Sequence, residues 1–163
     1  MELLPYLDED LALSLALETD PEVMRELGGP RDREAIEAVH PKRVQGAGGP
    51  WLKIVPEPGG EAAGAIGIWE SEWEGGTVHE AGWMLLPAYH GRGLGSEALG
   101  LLLDRARDDP RFERVHAFPG VTNGPSNGLC RKFGFELLGE STVEFAGSEL
   151  RVNQWCLDLT RVD

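Results

Sequence analysis

The chain has 163 residues, of which 41% are hydrophobic and 26% are charged, and its formal net charge at pH 7 is −13. This composition is typical of a globular protein and excludes an intrinsically disordered chain. The acidic charge repels nucleic acid phosphates and anionic lipids, so neither is an expected partner. It favours a cationic ligand, and the alternative is that it serves only to keep the protein in solution.

The two cysteines and four histidines lack the spacing of a disulfide framework or a metal site, so we predict no metal. The N-terminal segment has no basic region, and acidic residues interrupt its apolar ones, which argues against a secretory signal or a membrane span. We therefore expect a cytoplasmic protein with a single domain over residues 1–163.

The N-terminal third is predicted to be mostly helical, with Asp8 and Asp32 as the expected N-caps of two of its helices. A short strand and three helices are predicted there, over residues 3–4, 8–20, 21–27 and 32–45. The glycine- and proline-rich stretches that follow are predicted to be loops on either side of a strand at 51–55.

From residue 62 onward, strands and helices are predicted in a mixed order. The predicted elements are strands at 62–70 and 77–86 with a turn over 71–76 between them, a helix at 94–109, a strand at 114–118, a helix at 126–133, and strands at 135–145 and 149–159. This order predicts an α/β (α+β) fold with a mixed central sheet flanked by helices.

The most informative stretch is a glycine-rich turn at residues 87–96, between a predicted strand and the strongest predicted helix. Its glycines let the backbone approach a ligand closely, and the free amides of the following helix favour a phosphate or pyrophosphate. The missing Gly-Lys-Ser/Thr excludes a Walker A loop, and the GxGxG spacing disfavours a dinucleotide site. A plain strand-to-helix connection is the alternative.

Two motifs carry a family resemblance. Residues 90–95 match the pyrophosphate motif Arg/Gln-x-x-Gly-x-Gly/Ala except at His90, and residues 123–135 match Asn-x-x-Ser-x-x-x-(Tyr/Cys)-x-x-x-Gly-Phe. With both motifs in this order, residues 62–140 resemble the GNAT superfamily of acyl-CoA-dependent N-acetyltransferases. The similarity is greatest to the subgroup that includes the ribosomal-protein N-terminal (alanine) acetyltransferases.

The resemblance implies a GNAT fold whose sheet splays between its fourth and fifth strands to hold acetyl-CoA, or a longer acyl-CoA, without a metal. A backbone N–H of Met84 or Leu85 would polarise the thioester carbonyl. The residues that it implies in cosubstrate binding are Trp83, Met84, Leu85, His90, Gly91, Arg92, Gly93, Leu94, Gly95, Ser96, Asn123 and Asn127.

Three residues are candidates for catalysis. Glu80 is the candidate base, with His79 as its rival, and adjacent strand residues face opposite sides, so at most one of them faces the cleft. Ser126 is the preferred proton donor to the leaving thiolate. Cys130 stands where the family often has a tyrosine and is the second candidate, although a buried cysteine on a helix more often serves packing.

The expected acceptor is a primary amine on a small molecule or a protein N-terminus. Glu70, Glu72 and Glu74 would share one face of an extended segment and could hold a cation beside Trp69 or Trp73; a solvated hairpin tip is the alternative. A CoA-binding protein without catalysis and a phosphate-binding module unrelated to CoA are the competing functions. Edge strands near the C-terminus could pair two subunits as a homodimer.

Overall fold

The computed structural model describes residues 1–161, so the last two residues of the predicted domain lie outside the described part. Its strands are Glu2–Pro5 (β1), Trp51–Val55 (β2), Gly64–Trp73 (β3), Gly76–Leu85 (β4), Arg114–Ala117 (β5), Glu136–Phe145 (β6) and Ser148–Asp158 (β7). Its α-helices are Leu11–Glu18 (α1), Arg33–Gln45 (α2), Leu94–Arg107 (α3) and Gly124–Lys132 (α4).

The seven strands form a sheet in the order β1-β2-β3-β4-β5-β7-β6. All neighbouring strands are antiparallel except β4 and β5, which are parallel. A crossover through α3 joins these two strands, as a parallel pair requires. The predicted mixed sheet with flanking helices is therefore confirmed.

The main core lies between the sheet and α3, on a side that we call the α3 face. Apolar side chains recur along α3 at helical spacing, which gives the helix one buried stripe. The buried residues of that stripe are Ala98, Leu99, Leu102, Leu103 and Ala106. They pack against sheet residues that include Ile66, Ile68, Ala81, Val115 and Trp155.

The opposite side, which we call the α1 face, is covered over β1 to β4 by a smaller cluster around Tyr6, Leu17 and Ala65.

A buried ion network holds the connection between α1 and α2. The Glu18 carboxylate is 2% exposed and accepts from Arg31 at 2.9 Å and from Arg43 at 2.6 Å. Two guanidinium partners offset the desolvation of this buried charge.

The N-terminal helices differ in detail from the prediction. A 3₁₀ turn at Asp8–Asp10 precedes α1, and Asp10, rather than Asp8, accepts the hydrogen bond from the Leu7 N–H at 2.8 Å. The predicted helix at 21–27 is a run of turns ending in a 3₁₀ turn at Arg25–Leu27. Seven residues between Asp20 and Gly28 are too few to propagate a helix, because nucleation fixes several residues for one hydrogen bond.

The β3–β4 hairpin is longer than predicted. The strands continue to Trp73 and from Gly76, so the turn contains only Glu74 and Gly75 instead of residues 71–76. Both turn residues have positive φ, 46° and 77°. Two left-handed residues suit the right-handed twist of a hairpin, which allows the ladder to extend to its tip.

Candidate active site

The sheet opens between β4 and β5. The two parallel strands share a single paired position, Glu80 opposite His116, after which β4 continues to Leu85 while β5 ends at Ala117. Beyond that pair the backbone groups of β4 on this side lack a neighbouring strand. The expected splay between the fourth and fifth strands is therefore present.

Backbone direction along β4 decides which amides face the opening. The Leu86 N–H donates to the Ala63 carbonyl at 2.8 Å, on the β3 side, and β4 pairs with β3 without a register shift. Because N–H groups alternate in direction along a strand, the Met84 N–H points to β3 and the Leu85 N–H points to the opening. Of the two amides predicted to polarise a carbonyl, the geometry selects Leu85.

Neither the backbone polar groups nor the side chain of Met84 points into the opening. Its side chain packs into the cluster around Tyr6 and Leu17 on the α1 face. The regular ladder directs the polar groups of Met84 to β3, which argues against the predicted contact of Met84 with the cosubstrate.

The glycine-rich turn leads from β4 into α3. Gly91 and Gly93 have φ of 73° and 75°, and Gly93 is the N-cap of α3. Within residues 1–161, the amides of residues 91–96 donate to no protein acceptor. Free amides with the positive end of the helix dipole behind them form an anion-binding concavity.

Basic and polar side chains surround this turn. The Arg92 guanidinium lies over the Tyr89 ring, 5.4 Å from its centroid. Lys132 reaches across from the end of α4 and donates to the Ser96 hydroxyl. Sequence reasoning missed Lys132, because no local pattern shows that the end of α4 meets the start of α3.

The side chain of His90, the departure from the family motif, is already engaged. Its Nε2 donates to the Leu85 carbonyl at 2.8 Å, and its Nδ1 lies 3.7 Å from the Glu22 carboxylate. The imidazole thus links the end of β4 to the segment after α1. A direct phosphate contact by His90 is not supported, because both ring nitrogens face protein groups.

Glu80 lies on the α1 face, since its neighbour Ala81 lies in the core of the α3 face. Burial raises the pKa of Glu80 above its ordinary value, while hydrogen bonds from Ser71 and Trp69 lower it. The carboxyl group therefore holds a proton more strongly than an exposed glutamate, as suits a base that works near neutral pH.

His79, the rival base, faces the other side. Its ring meets Phe112 edge to face at 4.9 Å between centroids, within the α3 face. The alternation of strand side chains thus separates the two candidates, and only Glu80 shares the α1 face with Trp69.

Sequence reasoning missed the aromatic neighbours of Glu80 on β5. His116 pairs with Glu80 and stacks on Phe118 at 6.0 Å, and Phe118 in turn lies 4.5 Å from the Trp73 ring. Burial, and then the charge of Arg114, lower the pKa of His116. Its Nδ1 and the Trp73 Nε1 are buried without a partner among the described residues. No local signal reveals this group, because it depends on the β4–β5 register.

Ser126 lies in the first turn of α4, at the edge of the opening. The Asn123 side chain caps the helix by accepting from the Ser126 N–H at 3.2 Å. The Ser126 Oγ lies 3.2 Å from the Trp83 Nε1 on β4. This contact spans the opening and joins α4 to the unpaired end of β4.

Asn127 and Cys130 were predicted site residues, and the structure assigns both to the interior. The Asn127 amide donates to the Gly120 and Asn123 carbonyls and accepts from Asn153 and Trp155. Those four bonds use its whole hydrogen-bonding capacity, so none is left for a cosubstrate.

Cys130 is fully buried in the core of the α3 face. Burial raises the pKa of its thiol to about 12. A side chain with no exposed surface cannot deliver a proton into the opening, so its candidacy as the acid is wrong. The family's tyrosine position is occupied here by a packing residue.

The predicted row of acceptor carboxylates does not form. Glu74 lies in the hairpin turn, while Glu70 and Glu72 pair with His79 and Thr77 on the face opposite Glu80. All three glutamates are exposed. The row fails because the turn interrupts the extended backbone that the alternation requires.

Over residues 1–161, no group of three or more His, Cys, Asp and Glu residues is arranged to hold a metal ion. No helix in the same part of the chain is both long and apolar enough to cross a membrane.

Comparison with known proteins identifies the arrangement. The family model described as "Acetyltransferase (GNAT) domain" matches residues 1–136. The chain belongs to the GNAT acetyltransferase family. This GNAT protein is therefore an acetyl-CoA-dependent acetyltransferase, as the two motifs had predicted.

Solved structures share the fold of this GNAT protein. A spermidine N-acetyltransferase from Vibrio cholerae, in complex with CoA and spermine, matches with a TM-score of 0.79 and 16% identity over 98% of this chain and 95% of its own. A ribosomal-protein-alanine N-acetyltransferase from Brucella melitensis matches with a TM-score of 0.76 and 22% identity over 97% and 99%. At such identities the likeness concerns the fold.

Proposed function

We propose that the protein transfers the acetyl group of acetyl-CoA to a primary amine, on a small molecule or a protein N-terminus, by direct attack. One observation carries the proposal: past the single β4–β5 pair at Glu80 the sheet opens, the Leu85 N–H points into that opening, and Ser126 contacts Trp83 at its edge. A base, a carbonyl-polarising donor and a proton source are the groups that this reaction needs.

The cosubstrate's pyrophosphate would lie on the free amides of residues 91–96, with Arg92, Ser96 and Lys132 beside it. Glycine at 91 and 93 leaves this space open, since a Cβ built at either position meets nothing within 4 Å. The pantetheine arm would then follow the unpaired edge of β4 past Leu85 and Trp83, with Asn123 at the start of α4. No metal is needed for this chemistry.

In the proposed reaction, Glu80 removes a proton from the acceptor ammonium through water, because five extended residues, about 16 Å of strand, separate it from Leu85. The neutral nitrogen attacks the thioester carbonyl, whose oxygen accepts a hydrogen bond from the Leu85 N–H. The carbon–sulfur bond then breaks, and the thiolate takes a proton from the Ser126 hydroxyl. The second proton that the nitrogen releases as it becomes an amide returns through water to Ser126. The products are the N-acetylated amine and CoA.

The acceptor's class is supported by the relatives and by charge. One relative is named a spermidine acetyltransferase and another a ribosomal-protein-alanine acetyltransferase, and both names describe amine acceptors. A net charge of −13 attracts cationic amines. Around Glu80, Trp69, Trp73 and His116 would line the acceptor site on the α1 face.

Strands from both ends of the chain belong to the same sheet, which supports a single working domain over residues 1–163. Both cysteines are free thiols, which suits a reducing cytoplasm. Charge repulsion argues against nucleic acid and anionic membranes as partners.

Calorimetry with acetyl-CoA, CoA and ATP tests the cosubstrate, and turnover of amines and peptide N-termini tests the reaction. We expect micromolar binding of the CoA ligands but not of ATP, and a kcat lowered about 10²–10⁴-fold in Glu80→Gln. The matched control is Glu70→Gln with Glu72→Gln, which lie on the opposite face and should leave the acceptor's KM unchanged.

Failure of CoA ligands to bind would overturn the site. Binding without turnover of any amine would favour a CoA-binding protein that has lost catalysis. The buried Cys130, in the position where the family often has a tyrosine, supports that alternative. A raised acceptor KM in the control double variant would indicate that the acceptor binds on the face that carries Glu70 and Glu72.

A further inference from the structure

The hydrogen bond between Trp83 and Ser126 has only one possible direction. An indole nitrogen carries a proton and has no lone pair to accept with, so Trp83 donates and the Ser126 Oγ accepts, at 3.2 Å. The hydroxyl proton of Ser126 is therefore not used in this bond. It is available to a group outside the pair.

Nothing else in residues 1–161 takes that proton, because the Ser126 hydroxyl has no second hydrogen-bond partner there. A serine in a helix often turns its hydroxyl back to a backbone carbonyl of the preceding turn. Here Asn123 fixes the backbone of the turn by accepting from the Ser126 N–H, and Trp83 holds the oxygen from the other side. The two contacts keep the hydroxyl at the gap.

Trp83 is placed to hold this orientation firmly. Its ring packs against the core of the α3 face, together with Leu85 and Leu129. Its backbone lies on β4 beyond the Glu80–His116 pair, where the strand has left β5. The indole therefore connects a rigid core to the reacting side of the opening.

We infer that Trp83 is a positioning residue, whose indole N–H holds the Ser126 oxygen so that the hydroxyl proton points to the leaving sulfur of acetyl-CoA. The inference rests on the proposed function and extends it. In this step the carbon–sulfur bond breaks, its electron pair stays on sulfur, and the Ser126 proton moves to that sulfur. The proton that the acetylated nitrogen releases restores the Ser126 proton through water.

A double-mutant cycle tests the inference. Trp83→Phe keeps an aromatic ring and removes the donor, and Ser126→Ala removes the hydroxyl. We expect Ser126→Ala to lower kcat about 10²-fold and Trp83→Phe to lower it about tenfold. The double variant should match Ser126→Ala alone, because Trp83 would act only through that hydroxyl. The KM for acetyl-CoA should change little in all three.

A matched control uses the other tryptophan that donates to α4. Trp155 donates to Asn127 at 2.8 Å, one residue along the helix from Ser126. If Trp155→Phe lowers kcat through the position of the helix, its effect should multiply with that of Ser126→Ala rather than vanish.

Multiplying effects of Trp83→Phe and Ser126→Ala on kcat, or an unchanged kcat in either variant, would overturn the inference while acetyl transfer by the wild type stands. Absence of amine acetylation by the wild type would instead overturn the proposed function. In that case the same double-mutant cycle is measured on the slow hydrolysis of acetyl-CoA, which expels the same thiolate. Multiplying effects or an unchanged rate would again overturn the inference about Trp83.

Discussion

Glu80, the proposed base, lies in an environment that is unfavourable for its charge. The residue alternates with Ala81 and so faces Trp69 and His116 instead of the main core. Burial is the largest influence on its carboxyl group and raises its pKa. Ionising this half-buried carboxyl group therefore destabilises the fold.

The raised pKa predicts how stability depends on pH. A carboxyl group that binds its proton more tightly in the folded state stabilises the fold below its unfolded pKa, about 4.3. That contribution is lost as the pH rises through the folded-state pKa. Glu80→Gln, which stays neutral, should therefore be more stable than the wild type at pH 8 and no more stable at pH 4.

Urea unfolding of both proteins across this pH range measures the difference in the free energy of unfolding. The exposed Glu70→Gln is the control and should show no such trend. A difference for Glu80→Gln that stays constant with pH would mean that burial does not raise the pKa of Glu80.

At the scale of an element, the unit formed by β4, the glycine-rich turn and α3 has two sets of free backbone N–H groups at the edge of the sheet. The alternation of β4 leaves the Leu85 N–H free, and left-handed glycines leave the first amides of α3 free. A side chain at position 93 would oppose the φ of 75° and occupy the space of a ligand. The two effects can be separated by experiment.

We predict that Gly93→Ala weakens acetyl-CoA binding by about tenfold or more, because a left-handed alanine costs about 1–2 kcal/mol and its Cβ meets the ligand. Gly59→Ala is a matched control, since Gly59 also has a φ of 75° and open space around its Cβ. Calorimetry gives the affinities, and thermal unfolding gives the stabilities. Equal losses of stability with a Kd raised only in Gly93→Ala would support the site. An unchanged Kd for acetyl-CoA in Gly93→Ala would show that the glycine-rich turn does not bind the cosubstrate.

At the scale of the whole molecule, the sheet consists of two parts joined at one pair. The part from β1 to β4 carries α1 and α2, and the part from β5 to β6 meets it at Glu80 and His116. The opening between these parts is where we propose that the acetyl group passes to the acceptor. Its position follows from the connectivity of the sheet.

The sequence-based hypothesis of a homodimer stays a prediction, and the structure indicates which strand could form the interface. Since β7 lies between β5 and β6, only β6 of the C-terminal pair has a free edge, and its Leu137 and Leu138 are 48% and 51% exposed. Replacing both leucines with lysine should convert a β6-mediated dimer to a monomer, because charges oppose edge pairing. Leu101→Lys, at an exposed site on α3, is the control.

Light scattering after size-exclusion chromatography gives the mass of each variant. A monomeric wild type at assay concentration would show that the homodimer hypothesis is wrong, and an unchanged dimer in the β6 variant would locate the interface elsewhere.

The sequence by itself determined the family and the order of the strands and main helices, and it predicted the glycine-rich turn as the cosubstrate site. These depend on local patterns: the hydrophobic stripe of α3, the left-handed glycines at 91 and 93, and the spacing from Asn123 to Ser126. Each is encoded within a few residues, so no knowledge of the remaining fold was needed.

Only the tertiary structure decided which of these residues share the opening. Met84 and Leu85 are neighbours, yet the β3 ladder leaves only the Leu85 N–H free. Asn127 lies beside Ser126, yet the fold uses all its hydrogen-bonding capacity inside the protein. His116 enters the site through the β4–β5 register. Such roles depend on pairings between distant segments, which a local pattern does not contain.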